Sequence, residues 1–490
     1  MNTLARIAAA ILMTTASATA TAALAQNEPP ESEAAASDRC EALGNFGMDG
    51  AYVTSTRVVA ATDDLPAYCE VRATALPAIS IEARLPLTNW NGKFYQTGCG
   101  GWCGILGRAD ASGRFVNAMG PGLARGYATA TSDSGHHGLS VVDADWADAN
   151  PNAERDWGWR AIGETYRVGR NLIAEFYGKP GGDSIFQGCS TGGRLAHMAS
   201  LRYPENYQGI ISGAPAMNET ALAGPTLAWM VKANTDADGQ TILKPGKEAL
   251  IGDEVMRQCD ELDGEKDGLI SDPRLCKPDV STLLCGTDSD AKQCLTKAEI
   301  GVVTKWYQAP VNSKGDKLFP GGIPAGSEPF WGLWLTGSED GTAPLNPQFA
   351  KSFVAYLAFD RDPGPEWDPV DFDLDKDPAR MSRAAEMFNS DSPDIAKFRA
   401  AGGKMIVWHG WADAIVLPFQ TVDWFEKLKG AAGGAEELAK TVKLFMIPGM
   451  DHCGILPGPG GIAMETIDPL GALEQWMETG KAPDSIMRDK

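Results

Sequence analysis

A serine flanked by glycines is the feature of this chain that most suggests chemistry. Residues 188–192 read G-C-S-T-G, which puts Ser190 at the centre of a G-x-S-x-G pattern. Taken alone, such a pattern is more often an ordinary glycine-rich turn. Here it follows an apolar run at 184–187 and precedes a helical pattern, the strand-turn-helix setting that presents a serine to a cleft. We therefore predict that Ser190 is a nucleophile.

A nucleophilic serine requires a base, and the chain contains five histidines. In α/β-hydrolases the order along the chain is serine, acid, histidine. His409 and His452 satisfy this order, whereas His197 lies in the helix just after the turn and is expected to pack there. His452 follows the apolar run 442–447 by a short loop, from which an imidazole can reach back to Ser190. We predict that His452 is the base.

Two aspartates compete for the role of the acid that orients this histidine. Asp413 lies in the loop after the strand-like run 405–408. Asp451 is adjacent to His452, and a sequence neighbour seldom has the geometry to hold the imidazole Nδ1–H. We predict that Asp413 stabilises the imidazolium and that Asp451 is a turn residue.

Two cysteines lie beside the predicted nucleophile and base. Cys189 directly precedes Ser190, and Cys453 directly follows His452, although they are far apart in sequence. If the serine and the histidine meet, the two sulfurs must be close, and a disulfide would tie the two loops together. The alternatives are free or otherwise paired thiols, or Cys189 as the nucleophile, but an oxidising compartment disfavours a permanently free reactive thiol.

This combination of motifs resembles one known family. The Cys-Ser and His-Cys dipeptides, with Asp413 in the string G-W-A-D, are similar to the tannase and feruloyl esterase family, which includes mono(2-hydroxyethyl) terephthalate hydrolases. The resemblance extends from Cys40 to the C-terminus and implies an α/β-hydrolase core with a large inserted lid domain. It also implies a serine carboxylic-ester hydrolase that acts on phenolic or aromatic acid esters through an acyl-enzyme.

Acyl transfer needs two N–H donors that hold the oxyanion. The residue after the nucleophile, Thr191, supplies one of them. For the second, the loop 98–104 reads G-C-G-G-W-C-G, and the family resemblance assigns Gly100. The same loop contains Cys99 and Cys103. A disulfide between them would stiffen this loop, but the sequence leaves their pairing open.

An acidic string between Cys259 and Cys276 is a candidate cation site. It reads CDELDGEKDGLISDP, and its carboxylates repel one another unless a cation gathers them. It lacks the twelfth-position Glu of an EF-hand, and a solvated acidic turn is the alternative. The family resemblance implies a structural Ca²⁺ here, bound by the side chains of Asp260, Asp263 and Asp267 and by the backbone carbonyls of Glu265 and Leu269.

The ten cysteines form an even set, which in an oxidising compartment is typical of disulfides. Their number alone permits many pairings. The family resemblance leaves the two cysteines of the 98–104 loop over, and it pairs Cys259 with Cys276, Cys285 with Cys294, and Cys40 with Cys69.

Alternating strand and helix patterns surround these residues. Helical spacing occurs at 157–177 and 194–203. Between the helices lie short, nearly continuous apolar runs that suit strands buried on both faces of a sheet, and this alternation predicts an α/β fold. The runs, each ending in a glycine-rich turn, are 94–96, 127–131, 184–187, 209–212 and 405–408.

The alternation stops in the middle of the chain, where Pro, Gly, Trp and Asp become frequent and four cysteines occur, and it resumes near residue 404. We interpret this stretch as an inserted domain. The predicted organisation is a signal peptide at 1–25, a catalytic α/β-hydrolase domain formed by 26–218 and 400–490, and a lid domain at 219–399.

The N-terminus and the composition bear on location and partners. Residues 1–25 combine Arg6, an apolar run and a terminal A-L-A, as a secretory signal peptide does, so we expect a secreted or periplasmic protein. The chain has 64 acidic and 43 basic residues, a net charge of −21. This negative charge repels nucleic acid and anionic membranes, so both are poor partners. No nucleotide-binding motif occurs, so Ca²⁺ is the one cofactor expected.

Aromatic residues are frequent in the later part of the predicted lid. Most are expected to form its core and a minority to line a slot for a planar acyl group, with Arg361 and Arg383 as candidates to contact a substrate carboxylate or phenol. We expect a small-molecule gallate or ferulate ester as substrate. The alternatives are mono(2-hydroxyethyl) terephthalate hydrolase-like activity and a non-catalytic, calcium-stabilised binding protein. The aromatic residues are Trp331, Trp334, Phe349, Phe353, Tyr356 and Phe359.

Overall fold

One mixed β-sheet forms the centre of the molecule. A computed structural model describes residues 33–106, 118–138, 140–287, 290 and 292–488. Ten strands within these ranges form a sheet in the order β1-β2-β3-β4-β6-β5-β7-β8-β9-β10. The strands are β1 (Gly47–Met48), β2 (Ala51–Val59), β3 (Tyr68–Ala75), β4 (Ile79–Pro86), β5 (Phe94–Thr97), β6 (Ala128–Ser132), β7 (Ser184–Cys189), β8 (Gly209–Gly213), β9 (Lys404–Gly410) and β10 (Val442–Ile447).

The parallel half of the sheet carries the predicted active-site loops. Strands β1 to β4 pair in antiparallel fashion, as do β4 and β6, whereas the pairs from β6 through β5, β7, β8 and β9 to β10 are parallel. In this register Cys189 at the end of β7 lies opposite Gly213 at the end of β8. The carboxyl ends of parallel strands meet at one edge, where open α/β sheets bind ligands.

Helices cover both faces of this parallel half. Phe186 of β7 packs in one apolar cluster with Leu195 of the helix that follows the serine, whereas its neighbour Ile185 packs in another cluster with Leu473 near the C-terminus. Adjacent strand residues point to opposite faces, so a strand buried on both sides must be apolar at every position. The predicted α/β fold is therefore confirmed.

The predicted helices are present with shifted boundaries. The pattern at 157–177 forms a π-helical turn at Asp156–Arg160 followed by α4, and the pattern at 194–203 begins at Thr191. The helices are α1 (Glu33–Ala42), α2 (Gly120–Ala124), α3 (Pro151–Arg155), α4 (Ala161–Tyr177), α5 (Thr191–Arg202), α6 (Glu219–Ala221), α7 (Leu227–Ala233), α8 (Glu248–Cys259), α9 (Lys297–Trp306), α10 (Leu345–Tyr356), α11 (Asp377–Arg380), α12 (Ser382–Phe388), α13 (Ala396–Ala400), α14 (Phe419–Ala431), α15 (Ala435–Leu438) and α16 (Pro469–Thr479).

The described residues between β8 and β9 add no strand to the sheet. They form helices α6 to α13, further π-helical turns at Leu222–Thr226 and Gly332–Thr336, and short 3-10 turns. Leu227 and Trp331 of this segment share an apolar cluster with Ala412 and Ile415, which belong to the loop after β9. The segment thus packs directly against the loop that carries the predicted acid. The lid boundaries at 219 and 399 stay a prediction.

Five disulfides link the described chain. They include the three pairs that the family resemblance implies, and they join the two cysteines of the 98–104 loop, whose pairing the sequence left open. The pairs are Cys40–Cys69, Cys99–Cys103, Cys189–Cys453, Cys259–Cys276 and Cys285–Cys294.

The predicted signal peptide at 1–25 lies outside the described residues. Within the part of the chain that the structure describes, no helix has the length and apolar character needed to cross a membrane. The N-terminal prediction therefore stays a prediction from sequence.

Candidate active site

Ser190 occupies a sharp turn between β7 and α5. Its φ is +63° and its ψ is −127°, a combination that side-chain-bearing residues rarely adopt. Gly188 makes the turn possible, because a Cβ at this position would lie 2.4 Å from the carbonyl of Gly192. The backbone N–H of Arg194 donates to the Ser190 carbonyl at 3.0 Å, which anchors the turn to the first turn of the helix. The strained backbone presents the Ser190 side chain at the start of the helix.

Asp413 and His452 form a short hydrogen bond. The imidazole Nδ1 of His452 donates to Asp413 Oδ2 at 2.6 Å. The other carboxylate oxygen of Asp413 accepts from the backbone N–H groups of Ile415 and Val416 at 3.0 and 2.9 Å. Asp413 is fully buried and His452 is 4% exposed. The loop after β9 thus holds the carboxylate in one orientation and aims it at the imidazole.

A second histidine, which sequence reasoning did not select, positions Asp413. His409, at the end of β9, lies with Nε2 3.1 Å from Asp413 Oδ2 and 2.8 Å from the Val416 carbonyl. Both atoms are acceptors, so Nε2 carries the proton, and His409 Nδ1 accepts from the hydroxyl of Thr421 at 2.8 Å. The four-residue spacing between His409 and Asp413 is the sequence signal that points to this contact.

The charges of this pair stabilise each other. Burial alone would raise the pKa of Asp413, but the charge of His452 and the hydrogen bonds from both histidines outweigh burial and lower the pKa to about 2. Burial would lower the pKa of His452, but the Asp413 charge and hydrogen bond raise it above its ordinary value. Asp413 is therefore ionised at neutral pH, and its charge favours the protonated form of His452.

Asp451, the rival acid, has a different environment. Its carboxylate accepts a 3.3 Å hydrogen bond from the N–H of Leu456, and its Oδ2 has no hydrogen-bond partner. Burial raises the pKa of Asp451 to about 7, although the neighbouring His452 opposes the shift. Asp413, not Asp451, thus holds the imidazole of His452.

The Cys189–Cys453 disulfide brings the serine turn and the histidine loop together. Its Cα atoms are 6.1 Å apart, and Ser190 and His452 line the same cavity. The structure records no hydrogen bond between Ser190 and His452; the imidazole Nε2 lies 3.7 Å from Cys453 Sγ. Such contacts are often long in substrate-free enzymes and tighten when the substrate binds.

The predicted oxyanion loop packs onto the first turn of α5. Gly100 and Thr191 both line the cavity with Ser190. A Cβ on Gly98 would lie 2.9 Å from the Cα of Gly192, so two glycines are needed where the loop crosses the helix. This contact, which sequence reasoning missed, packs the glycine-rich loop against the start of the helix that follows Ser190.

The cavity has a volume of about 360 Å³ and is lined mostly by apolar side chains. Of the six aromatic residues singled out in the lid, Trp334 and Phe349 line it, and the Trp334 ring packs edge-on against His452 at 5.4 Å. Trp331 instead packs in the core against Trp306 at 5.3 Å.

The two arginines predicted as substrate contacts do not line the cavity. Arg383 donates to Glu154 at 2.8 Å, and Arg361 is exposed. Sequence positions near the aromatic residues do not bring these side chains to the cavity, because Arg361 lies in an exposed bend and Arg383, on α12, pairs with Glu154.

Comparison with known proteins assigns the family. A family model described as tannase and feruloyl esterase matches residues 58–490. The chain belongs to the tannase and feruloyl esterase family. This assignment agrees with the resemblance inferred from the Cys-Ser and His-Cys dipeptides.

Two relatives and one solved structure are similar to this chain over most of its length. An uncharacterized esterase from Xanthomonas campestris pv. campestris is 32% identical over 100% of this chain and 87% of its own length. Mono(2-hydroxyethyl) terephthalate hydrolase from Piscinibacter sakaiensis is 30% identical over 91% and 84%. The crystal structure of feruloyl esterase B from Aspergillus oryzae matches with a TM-score of 0.80 and 27% identity, and covers 92% of each chain.

These similarities establish the chain as a carboxylic ester hydrolase of the tannase and feruloyl esterase family. Its sheet and flanking helices form an α/β-hydrolase core. A small-molecule ester is therefore the substrate.

In the acidic loop predicted to bind calcium, the carboxylates do not converge on one point as metal ligands would. Asp260, Asp263 and Asp267 each accept a hydrogen bond from a backbone N–H of the same loop, at 2.9, 3.0 and 3.1 Å. Across the described ranges, no three His, Cys, Asp or Glu side chains are grouped so as to hold a metal ion.

Removing the Cys189–Cys453 disulfide should impair catalysis in this esterase even at temperatures where the protein keeps its secondary structure. In a Cys189→Ser, Cys453→Ser variant we expect kcat/KM to fall by about 100-fold, the loss typical of a displacement of about 1 Å between reacting groups. Its free energy of unfolding should fall by at most roughly 6 kcal/mol, because a loop of this length is no longer closed in the unfolded chain. Ester hydrolysis and thermal unfolding measure the two effects.

The matched control for this prediction is the Cys40→Ser, Cys69→Ser variant, which removes a disulfide in a different apolar cluster. It should lower the melting temperature and leave kcat/KM within about twofold at a temperature where the protein is folded. Equal losses of activity in the two variants would contradict a positional role for the Cys189–Cys453 pair.

Proposed function

We propose that this esterase hydrolyses esters of phenolic or aromatic acids through a covalent Ser190 acyl-enzyme. The observation that carries the proposal is the 2.6 Å hydrogen bond between His452 and Asp413 in the cavity that Ser190 lines. A nucleophile, a base and an acid that orients the base are the parts that acyl transfer to serine requires.

In the proposed first half-reaction, Ser190 Oγ attacks the ester carbonyl carbon while His452 Nε2 takes the hydroxyl proton. Asp413 stabilises the resulting imidazolium through Nδ1. When the tetrahedral intermediate collapses, the bond between the carbonyl carbon and the alcohol oxygen breaks, and His452 returns the proton to the alcohol. The acyl group stays on Ser190.

In the second half-reaction, His452 takes a proton from water, whose oxygen attacks the acyl carbon. Collapse of this second intermediate breaks the bond to Ser190 Oγ, which regains the proton. The carboxylic acid then leaves. In both half-reactions, the backbone N–H groups of Thr191 and Gly100 are proposed to donate to the oxyanion; the loop contact between Gly98 and Gly192 supports this geometry.

An aromatic acyl group is supported by the cavity lining. Leu227, Trp334 and Phe349 provide apolar and aromatic surface of the kind that binds a planar ring. Mono(2-hydroxyethyl) terephthalate hydrolase-like activity is the second candidate, supported by the relative of that name. Among the described lining residues, however, there is no Lys or Arg to pair with the free carboxylate of such a substrate. A non-catalytic binding role is disfavoured by the intact Asp413 and His452 pair.

A side-by-side panel tests the proposal. The purified protein is assayed for kcat/KM on methyl gallate, methyl ferulate and mono(2-hydroxyethyl) terephthalate. We expect the phenolic esters to be the better substrates. A clear preference for the terephthalate ester would support the second candidate, and turnover of none of the three would overturn the aromatic-ester proposal.

We propose that the protein acts outside the cytoplasm. The five disulfides support this, because such crosslinks persist in oxidising compartments. N-terminal sequencing of protein recovered from the periplasm or the medium should find a chain that begins near residue 26; a cytoplasmic, uncleaved chain would contradict the proposal.

We also propose, from the family resemblance and the composition of the loop, that residues 260–269 bind a structural Ca²⁺. At a Ca²⁺ concentration of about 100 times Kd, binding would stabilise the folded state by about 2.7 kcal/mol. The chelator EGTA should therefore lower the melting temperature, and added Ca²⁺ should restore it. An Asp263→Asn, Asp267→Asn variant should lose this response, whereas Asp272→Asn, in the same disulfide loop, should keep it. An unchanged melting temperature with EGTA would contradict the calcium proposal.

A further inference from the structure

One carboxylate lines the catalytic cavity among the described residues. Glu219 begins helix α6, whose first turn is capped by Asn218, which accepts from the N–H of Ala221 at 3.2 Å. Three residues earlier, the N–H of Ala216 donates to the Ser190 carbonyl at 3.3 Å. A short, hydrogen-bonded stretch of chain thus holds Glu219 close to the nucleophile.

The Glu219 carboxylate is buried without a hydrogen bond to its Oε2. The residue is 2% exposed, and Oε2 has no hydrogen-bond partner. Arg194 Nε lies 3.8 Å away, within range for charge attraction but too far for a hydrogen bond. Buried polar atoms are nearly always hydrogen-bonded, and Glu219 lines the cavity, so a carboxyl group with this unmet hydrogen-bonding capacity indicates a place for a ligand.

Arg194 is not free to close this gap. Its guanidinium donates to the carbonyls of Gly158 and Phe388 at 3.0 and 3.1 Å and to the carbonyl of Trp157 at 3.1 Å. The guanidinium carbon also lies 4.2 Å from the centre of the Trp157 ring. These contacts fix Arg194 against the backbone, so Glu219 keeps an unused hydrogen-bonding oxygen.

Most of the residues that line the cavity with Glu219 are apolar. Ala223 and Leu227 follow Glu219 along the chain, and Phe349 and Trp334 line the same space. A ligand that suits it has a flat apolar body and a polar group that meets the carboxyl. A hydroxylated aromatic ring has this combination.

We propose that Glu219 is a specificity-determining residue that hydrogen-bonds a ring hydroxyl of the aromatic ester. This inference rests on the proposed aromatic-ester function. The hydroxyl donates to the carboxylate, or accepts from the carboxyl group when Glu219 is protonated. A ring carboxylate cannot donate, so it pairs only with protonated Glu219 and is repelled by the ionised form.

The electrostatics of the site agree with this assignment. Burial raises the pKa of Glu219 to about 7, although the attraction of Arg194 opposes the shift. Both protonation states are therefore populated near neutral pH. A hydroxyl group suits either state, whereas discrimination against a ring carboxylate should increase as the pH rises through about 7.

Three methyl esters that differ in one ring substituent test the proposal: methyl 4-hydroxybenzoate, methyl benzoate and monomethyl terephthalate. In the wild type we expect kcat/KM to fall in that order. In Glu219→Leu, the ratio of kcat/KM for the hydroxylated ester to that for methyl benzoate should fall by about 10- to 100-fold, the range for a hydrogen bond to an ionisable group. Turnover of p-nitrophenyl acetate, whose acyl group is small, reports on the catalytic residues separately.

The conservative variant Glu219→Gln provides a second readout if the leucine variant is unstable. Its amide keeps a donor and an acceptor and loses the charge. It should retain the preference for the hydroxylated ester, improve relative turnover of monomethyl terephthalate, and lose the pH dependence of that discrimination. Glu154→Leu is the matched control, because Glu154 is a buried acid that pairs with Arg383 away from the cavity. It should leave all three substrate ratios unchanged.

A structural role for Glu219 as the counter-ion of Arg194 predicts a different result. Glu219→Leu would then lose activity equally on methyl benzoate and its hydroxylated analogue, and this outcome would overturn the proposal. A wild type that cleaves the two esters equally well would overturn the Glu219 assignment alone. Cleavage of p-nitrophenyl acetate but of no aromatic ester would overturn both this assignment and the aromatic-ester function.

Discussion

Replacing Ser190 with alanine should reduce kcat on methyl gallate or methyl ferulate by a factor on the order of 10⁵ to 10⁶, as loss of the nucleophile does in serine hydrolases. The neighbouring Cys189 cannot substitute for it, because its sulfur is bonded to Cys453. His452 and Asp413 remain paired but have no hydroxyl to activate. Residual hydrolysis would come from the oxyanion donors and from substrate positioning.

The released acid can be quantified by chromatography under single-turnover conditions, and a fluorophosphonate probe should label the wild type at Ser190 and leave the variant unlabelled. Ser200→Ala is a matched control, because this serine lies in the same helix, α5, and its hydroxyl donates to the His197 carbonyl. The control should keep activity within about twofold. Turnover of the Ser190 variant within tenfold of the wild type would refute the acyl-enzyme mechanism.

Replacing Asp413 with asparagine should lower kcat by about 10⁴-fold while the fold is retained. The asparagine has the same size, and its carbonyl oxygen can accept the Ile415 and Val416 N–H bonds that Asp413 accepts. Its amide would face His452 Nδ1 as a donor, which favours the wrong imidazole tautomer. The charge that stabilises the imidazolium would also be absent.

The pH profile provides a readout that a structural defect would not produce. His452 accepts a proton only when it is neutral, so activity should rise with pH through its pKa, which Asp413 raises above the ordinary histidine value. In Asp413→Asn the burial that lowers this pKa is opposed only by the weaker effect of the Asp451 charge, so the ascending limb should move to lower pH as the plateau falls. Asp451→Asn is the comparison and should keep kcat within about tenfold. An unshifted limb in Asp413→Asn would contradict the assignment of the acid.

The candidate nucleophile and base could be selected from the sequence because their signals are local. A G-x-S-x-G turn after an apolar run is a short-range pattern, and the glycine at 188 is required by a contact only four residues away, with Gly192. The neighbouring cysteines added long-range information of a rare kind, since a disulfide between them requires Ser190 and His452 to be close. The choice of Asp413 over Asp451 used chain order and the same local reasoning.

Contacts between distant segments could not be predicted in this way. The packing of Gly98 on Gly192 depends on how a loop after β5 crosses a helix after β7. Arg361 and Arg383 were wrong as cavity residues because nearness in sequence to aromatic residues does not determine which side chains face the cavity. For the same reason, the sequence could not show that Trp334 and Phe349, of the six aromatic residues, are the two that line the cavity.

The sequence by itself determined the family, the α/β fold and the identity of the candidate triad, because each depends on local patterns that a strand, a turn or a disulfide imposes on neighbouring residues. Only the tertiary structure decided that His409 supports Asp413 and that Glu219 enters the cavity. These roles depend on burial and on the distances between segments far apart in the chain. The sequence around a glutamate does not show whether its carboxylate lacks a hydrogen-bond partner. That depends on which residues from distant segments pack around it.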